Sequence, residues 1–238
     1  MSGYKRFFVD IVSDVTEITG EEFTHAVSVL RIKKGERIFL CDNLGKEYIA
    51  EISSIEKKKL TATLLEESQN QCEPKEDIML IAGYLKGDKT ELIVQKAVEL
   101  GVNKIVVFSS TNSSAYMNDN KLERLNRVSM EACKQCGRAR VPQVVYADTL
   151  KKALEYGKEY SNKLFACEFA TKTEVNFSTL KGSTAVVVGS EGGFTEEEFN
   201  LSKELGYKTI YLGKRILRAE TACIALTAII ANALEEFE

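Results

Sequence analysis

The stretch AVVVGSEGGFTEEE, residues 185–198, decides the fold. Its apolar run, Ala185 to Val188, has the length and composition of a strand, and it breaks into Gly189-Ser190-Glu191-Gly192-Gly193. Thr195 with Glu198 three residues on is a capping box, so a helix starts there. Strand, glycine turn and helix N-terminus together make the usual cradle for a phosphate, because backbone N–H groups converge on it. Yet Glu191 sits inside the turn, and Glu196, Glu197 and Glu198 crowd the helix start. Those charges repel a phosphate, and the stretch has neither the Lys-Ser/Thr pair of a P-loop nor a G-x-G-x-x-G pattern. The ligand it suits lies close against glycine backbone and carries no phosphate. The alternative is a plain connection in which the glycines only ease a tight turn.

The same strand–helix alternation runs through residues 78–238. IMLIAGYL, KIVVFSS, QVVYA, KLFACEF, TAVVVGS and KTIYLG read as strands. DKTELIVQKAVELG, LERLNRVSMEACKQCGR, LKKALEYGKEY and EEEFNLSKELG read as the helices between them, and a long helix closes the chain from about Thr221. This pattern argues for a mostly parallel sheet covered by helices. Residues 1–70 differ. ERIFLCD, KEYIAEIS and KLTATLLEE are strand candidates, with turn chemistry at Asp42-Asn43-Leu44-Gly45 and one helical candidate over Glu21–Leu30. These are the parts of a small barrel, and the polar EESQNQCEPKED, residues 66–77, is the linker.

The bulk properties narrow the function. At 238 residues with 44% hydrophobic content the chain has room for a proper core. A net charge of −3 excludes a polycation, so any nucleic acid must meet a local patch. The opening MSGYKRFFVDIVSD has no apolar core of useful length for a secretory signal, and the apolar-rich Ala222–Leu234 is too short to span a bilayer. Six scattered cysteines read as reduced thiols of a cytoplasmic protein. Cys133-x-x-Cys136 lies inside a helical pattern without a second pair, and the single histidine is His25, so packing is a better reading than metal or redox chemistry.

Two further stretches carry chemistry. LGKRILRAETACIAL, residues 212–226, leaves a strand and passes Arg215, Arg218 and Glu220 before the last helix. As a solvated loop it would strand Ile216 and Leu217. At the carboxyl end of a strand, beside the glycine turn, it suits an adenosine group that lacks phosphates. Between Lys121 and Arg140, residues 121, 124, 127, 134, 138 and 140 are basic and only 123 and 131 acidic. That segment is either an RNA-facing patch or a solvated helix face.

GSEGG followed by LGKRILRAET, with KGDKTELIVQKAVELG and EACKQCGR upstream and HAVSVLR in the first region, closely resembles the ribosomal RNA small subunit methyltransferase E family. The resemblance covers nearly the whole chain. It implies a PUA-like RNA-binding β-barrel over residues 1–72. It also implies a SPOUT α/β domain with a trefoil knot over residues 73–238. The implied activity is transfer of a methyl group from S-adenosylmethionine to N3 of a uridine, the one called 1498, in 16S rRNA of the small ribosomal subunit. The implied assembly is a homodimer, and no metal is needed. A sulfonium cofactor without phosphate also answers the puzzle of the acidic glycine turn.

The resemblance assigns residues as follows. Gly189, Glu191, Gly192 and Gly193, with Leu212, Gly213, Ile216, Leu217 and Thr221, would hold the cofactor. Arg218 and Glu220 would orient the base or handle its proton, and Arg6, Arg31, Lys86, Arg138 and Arg140 would contact RNA. Lys96, Glu99 and Gln135 match family positions as well. Two departures stand out: Ser190 replaces a usual proline, leaving the turn less restrained, and Asn112 and Tyr116 stand where an arginine and a lysine are usual. The rival readings are a non-catalytic RNA-binding or ribosome-assembly protein, and a SPOUT methyltransferase acting on tRNA or on a ribose 2′-hydroxyl.

Overall fold

The computed structural model describes residues 3–111 and 116–237; Asn112 lies outside them. The chain forms two compact units, residues 1–73 with 133–141, and residues 74–132 with 142–238.

The first unit is a curled five-stranded sheet, half a barrel. Its strands are β1 (Lys5–Phe8), β2 (Val15–Thr19), β3 (Arg37–Cys41), β4 (Glu47–Ile55) and β5 (Lys59–Ser68), in the order β1-β3-β4-β5-β2. Only the β1–β3 pair is parallel. Phe7, Ile18, Ile38, Leu40, Ile52 and Leu60 fill its core. β2 shows the alternation expected of a half-buried strand, with Thr16 and Ile18 in and Val15, Glu17 and Thr19 out. The helical candidate becomes α1 (Gly20–Thr24) and then a π-helical turn, His25–Val29, closed by Leu30 N–H donating to the His25 carbonyl. Arg31 then adopts φ +53°, which stops the helix.

Residues 133–141 complete this unit through Glu73. Its carboxylate accepts from Arg138 Nε and Nη2 at 3.3 and 3.1 Å, and from the backbone N–H groups of Ala139 and Arg140 at 2.7 and 2.9 Å. Arg138 is only 2% exposed. Arg6 is similarly engaged, donating to Glu47 at 3.1 Å with its guanidinium 4.7 Å from the centre of the Phe39 ring. Both arginines, expected on an RNA surface, are engaged within the unit; Arg138 is buried and needs its carboxylate partner there, whereas Arg6 is half-buried. Burial pushes the Cys41 and Cys133 thiols up to about 12, so both stay protonated at neutral pH and pack as small hydrophobes.

The second unit is the α/β layer structure. Its sheet contains β6 (Ile78–Gly83), β7 (Lys104–Phe108), β8 (Gln143–Ala147), β9 (Asn162–Ala166), β10 (Thr184–Val188) and β11 (Lys208–Ile210). The order is β11-β9-β10-β6-β7-β8 and every pairing is parallel. β6 and β10 lie side by side at the centre and are buried at every residue, which is why both read as unbroken apolar runs. Each buried Ile or Val there, such as Ile81 or Val187, contributes about 1.5–3 kcal/mol of burial. The helices are α2 (Lys89–Glu99), α3 (Asp119–Cys136, whose last turn enters the first unit), α4 (Leu150–Glu155), α5 (Glu196–Glu204) and α6 (Ala219–Ala233).

α4 stops five residues short of the helical pattern in the sequence. The Tyr207 hydroxyl donates to the Leu154 carbonyl at 2.8 Å, in space left open because Gly157 has no Cβ. The same carbonyl also accepts from Gly157 N–H at 3.0 Å, and the chain continues in tight turns. Among the described residues no helix is long and apolar enough to cross a membrane.

Candidate active site at the carboxyl edge of the parallel sheet

Because all six strands of the second sheet run the same way, the loops that follow them emerge at one edge, where open α/β sheets bind ligands. The glycine turn after β10 is built into that edge from three sides. Phe194, directly after the glycines, is 4% exposed and packs its ring 4.3 Å from Phe165 and 6.4 Å from Phe108. Gly189 lies beneath that ring, where an added Cβ would come within 3.0 Å of it. Gly83, at the end of β6, runs so close to the turn that a Cβ would collide with the Ser190 backbone. The Ser190 hydroxyl is 2.7 Å from that of Ser110, beyond β7. The serine in place of proline is therefore restrained after all, by a buried hydrogen bond rather than by a ring.

Three carboxylates around the turn, Glu191, Glu198 and Glu168, have structural partners. Glu191 accepts from Lys89 at 2.8 Å, tying the turn to the start of α2. Glu198 completes the capping box with Thr195 and also accepts from the Thr111 hydroxyl at 3.0 Å. Glu168, in the loop after β9, accepts from Phe194 N–H at 3.2 Å, and a Cβ on Gly193 (φ +64°) would strike its carboxylate. The backbone N–H groups at the end of the turn and at the helix start are used as well, Gly193 N–H donating to the Ser190 carbonyl at 3.1 Å and Thr195 N–H to Glu198 at 2.9 Å. A phosphate would find these donors taken. This is a firmer ground for excluding it than the repulsion read from the sequence, since Lys89 neutralises Glu191.

The other loops are stitched to the same edge. Thr173 joins the loop after β9 to the end of β11, its hydroxyl exchanging hydrogen bonds with Tyr211 N–H and carbonyl at 3.1 and 3.2 Å. Glu174 adds an ion pair with Lys203 and accepts from Thr209 N–H at 2.7 Å. Hydrogen bonding to Lys203, then to Thr209 N–H, lowers the Glu174 carboxyl to about 2.

Beyond β11, Leu212 and Leu217 are half-buried, and Gly213 takes φ +93° with open space where a Cβ would stand. Ile216 is 98% exposed. Arg218 is the N-cap residue of α6 but does not cap with its side chain, which is exposed. Two residues on, Glu220 buries its Oε2, which has no hydrogen-bond partner among the described residues. The Lys89 ammonium is raised first by its hydrogen bond to Glu191, and it also feels the charges of Glu220 and Arg218. Thr221 is exposed on the first turn of α6.

Of the residues expected to contact RNA, Arg31, Lys86 and Arg140 are exposed. Lys96 and Glu99 pair with each other at 2.8 Å, and Gln135 is exposed. Sequence reasoning missed Lys89 and Glu168. Lys89 lies inside the KGDKTE motif and could have been marked as the cation facing Glu191; nothing local distinguishes Glu168. A cavity of about 590 Å³ opens beside Lys86, lined by Tyr84, Asp88, Glu91, Tyr116, Lys121 and Arg124 among others.

Comparison with known proteins follows the same division of the chain. An RNA methyltransferase domain family matches residues 71–231, and an RNA methyltransferase PUA domain family matches residues 18–65. A ribosomal RNA small subunit methyltransferase E of Bacillus subtilis is 33% identical, covering 94% of this chain and 95% of its own. Its counterpart in Mesomycoplasma hyopneumoniae is 32% identical, over 93% of this chain and 96% of its own. The crystal structure of a ribosomal RNA small subunit methyltransferase E from Neisseria gonorrhoeae, bound to S-adenosyl methionine, superposes with a TM-score of 0.86 at 31% identity, covering 97% of this chain and 98% of that one. With matches of this extent in sequence and in fold, the chain belongs to the ribosomal RNA small subunit methyltransferase E family.

Proposed function

We propose that the protein methylates N3 of one uridine in 16S rRNA of the small ribosomal subunit, the position called 1498 in the family, using S-adenosylmethionine. The observation that carries the chemistry is the buried, unpartnered Glu220 Oε2 beside exposed Arg218, at the edge that also holds the glycine turn. A buried carboxylate oxygen without a donor is costly unless a ligand supplies one. The imide N–H of uridine is such a donor.

The residues fit the cofactor. The N–H groups of Gly193 and Phe194 are engaged by the protein, which suits a ligand without phosphate, and Gly213 leaves open space against its backbone. Half-buried Leu212 and Leu217 offer apolar contact for adenosine. When bound, S-adenosylmethionine supplies an electrophilic methyl group on a sulfonium. The chain's own task is positioning and deprotonation. Glu220 accepts the N3 proton, and the Arg218 guanidinium stabilises the negative charge that develops on the imide. Substrate binding also draws on exposed Arg31, Lys86 and Arg140. The domain assignment at residues 1–72 and 73–238, the knot, the homodimer and the cytoplasmic setting belong to the same reading.

The test is primer extension on small-subunit RNA. A methyl on N3 removes the donor from the pairing edge, so reverse transcriptase stops there, whereas a 2′-O-methyl leaves that edge intact. RNA from a deletion strain should lack one strong stop near its 3′ end. Purified protein and S-adenosylmethionine should restore it, with N3-methyluridine in the digest. Cofactor binding without any transfer to subunits or free rRNA would replace this reading with a non-catalytic RNA-binding protein. A ribose-methylated product would replace it with another SPOUT activity.

A further inference from the structure

The cavity beside Lys86 has no role in the chemistry above. Its walls come from the loop after β6, the start of α2 and the start of α3. About 590 Å³ falls within the usual range of ligand pockets. The lining is of two kinds. Tyr84, Tyr116 and Leu125 provide apolar surface, and Tyr116 is 82% exposed. Lys86, Lys121 and Arg124 provide cations, against the carboxylates of Asp88 and Glu91.

Two of the cations are held at the wall. Arg124 pairs with Glu91 at 2.9 Å. Lys121 donates to the Tyr116 carbonyl at 2.6 Å, with its ammonium 5.5 Å from the centre of the Tyr84 ring. Lys121, Arg124 and Arg127 recur every three residues on α3 and are all exposed. At a rise of about 1.5 Å per residue they form a short basic flank leading away from the cavity. The basic run continues differently in the first unit, where Lys134 pairs with Glu22 at 2.7 Å and Arg138 with Glu73. Lys121, Arg124 and Arg127 are therefore solvent-exposed on α3, whereas Lys134 and Arg138 are engaged within the first unit.

We propose that this cavity receives a nucleotide of the single-stranded RNA substrate, stacked on Tyr116, with its flanking phosphates on Lys121, Arg124 and Arg127. The inference rests on the methyltransferase reading above. An exposed aromatic face beside a basic track is the arrangement that binds single strands with little dependence on base identity. The start of α2, which walls the cavity, carries Lys89, whose bond to Glu191 couples it to the glycine turn. A strand seated here is thus held by the same helix start that fixes the cofactor edge.

The experiment is fluorescence anisotropy with a fluorescein-labelled twelve-residue oligouridylate, at several KCl concentrations, on the full-length protein. Lys121→Ala with Arg127→Ala should weaken binding roughly tenfold and flatten the slope of log affinity against log salt by about 0.7 for each phosphate no longer neutralised. Tyr116→Ala should weaken it at least about fivefold, while Tyr116→Phe, which keeps the stacking face, should stay within about twofold of the parent. Calorimetry should find S-adenosylmethionine affinity unchanged in every variant, which also shows that each is folded. Affinity and salt slope equal to the parent in the double variant, or no oligouridylate binding by the parent itself, overturns the proposal. A parent that fails to bind S-adenosylmethionine overturns the underlying reading instead, so the two failures are distinct.

Discussion

Lys89 Nζ lies 2.8 Å from Glu191 Oε1, joining the first turn of α2 to the glycine turn after β10. Both side chains keep about a third or more of their surface in solvent, so the pair adds little to global stability. Its effect is local, since it fixes the turn against the loop between β6 and α2. Lys89→Met and Glu191→Gln should each weaken S-adenosylmethionine binding several-fold, leaving the thermal midpoint close to the parent. If the two act through one contact, the double variant should be no weaker than either single one, which titration calorimetry checks as a double-mutant cycle.

The two positive-φ glycines of the site should respond differently to substitution. Gly193→Ala meets both a left-handed backbone at φ +64° and the Glu168 carboxylate. Gly213→Ala meets only the backbone strain at φ +93°, with nothing within 4 Å of the new Cβ. A non-glycine residue in the left-handed region costs roughly 1–2 kcal/mol, so urea unfolding should show about that loss for Gly213→Ala and more for Gly193→Ala. Truncating Glu168 to alanine in the Gly193→Ala background should recover part of the difference. Cofactor affinity should fall in both single variants.

Glu174 supplies a pH test of the loop that carries Glu168. Its carboxyl sits at about 2 in the folded chain, against 4.5 for an unperturbed glutamate, because Lys203 and Thr209 N–H donate to it. A depressed carboxylate stabilises the fold above its unfolded value and loses that contribution as pH falls through its folded value. The pair with Lys203 is about a third exposed on each side, so screening keeps the effect under about 1 kcal/mol. Glu174→Gln should therefore be less stable than the parent at pH 7. The gap should narrow between about pH 4.5 and pH 2, read from urea midpoints across that range.

The sequence disclosed the second unit well for a physical reason. Its central strands are buried on both faces, and β6 and β10 consequently carry uninterrupted apolar runs that punctuated helices separate. β1 and β2 were not legible because KRFF and VTEIT are four and five residues long and half solvent-facing, too little pattern to rise above a loop. In the site, Gly189 answers a close approach of the Phe194 ring and Gly193 and Gly213 a positive φ, so the need for glycine at these three motif positions has a physical ground. The pairing of Arg6 and Arg138 within the fold was not legible, because charge in a sequence does not say whether a carboxylate waits nearby. Glu47 and Glu73 are those carboxylates. Glu168 lies 26 residues from the Phe194 N–H it holds, and no local spacing announces such a contact.

Association can be tested at exposed apolar side chains. Ile216 is 98% exposed and Ile229, on α6, is 42% exposed. Apolar side chains presented this way suit burial against a second copy, and closed two-fold dimers are the commonest soluble assembly. Light scattering at micromolar concentration should report a homodimer, and Ile216→Asp with Ile229→Asp should shift it toward monomer. A parent that runs as a monomer would end this expectation.

The proton acceptor is the step on which the proposed chemistry turns. Glu220 Oε2 is buried without a partner among the described residues, whereas Glu191, Glu198 and Glu168 are each engaged by the protein. Of these four carboxylates it alone buries an oxygen that no described residue satisfies. Glu220→Gln keeps the size of the side chain and can still hydrogen-bond, but it cannot take a proton. General-base catalysis contributes on the order of 10²–10⁴-fold, so single-turnover methyl transfer to small subunits should slow by about a hundredfold or more. S-adenosylmethionine affinity, RNA affinity and the unfolding midpoint should stay near the parent. Arg218→Lys should retain more activity than Arg218→Ala if its charge stabilises the imide anion. A Glu220→Gln protein that transfers methyl at the parental rate would remove this carboxylate from the reaction. The base would then be sought on the RNA or on another loop of the edge.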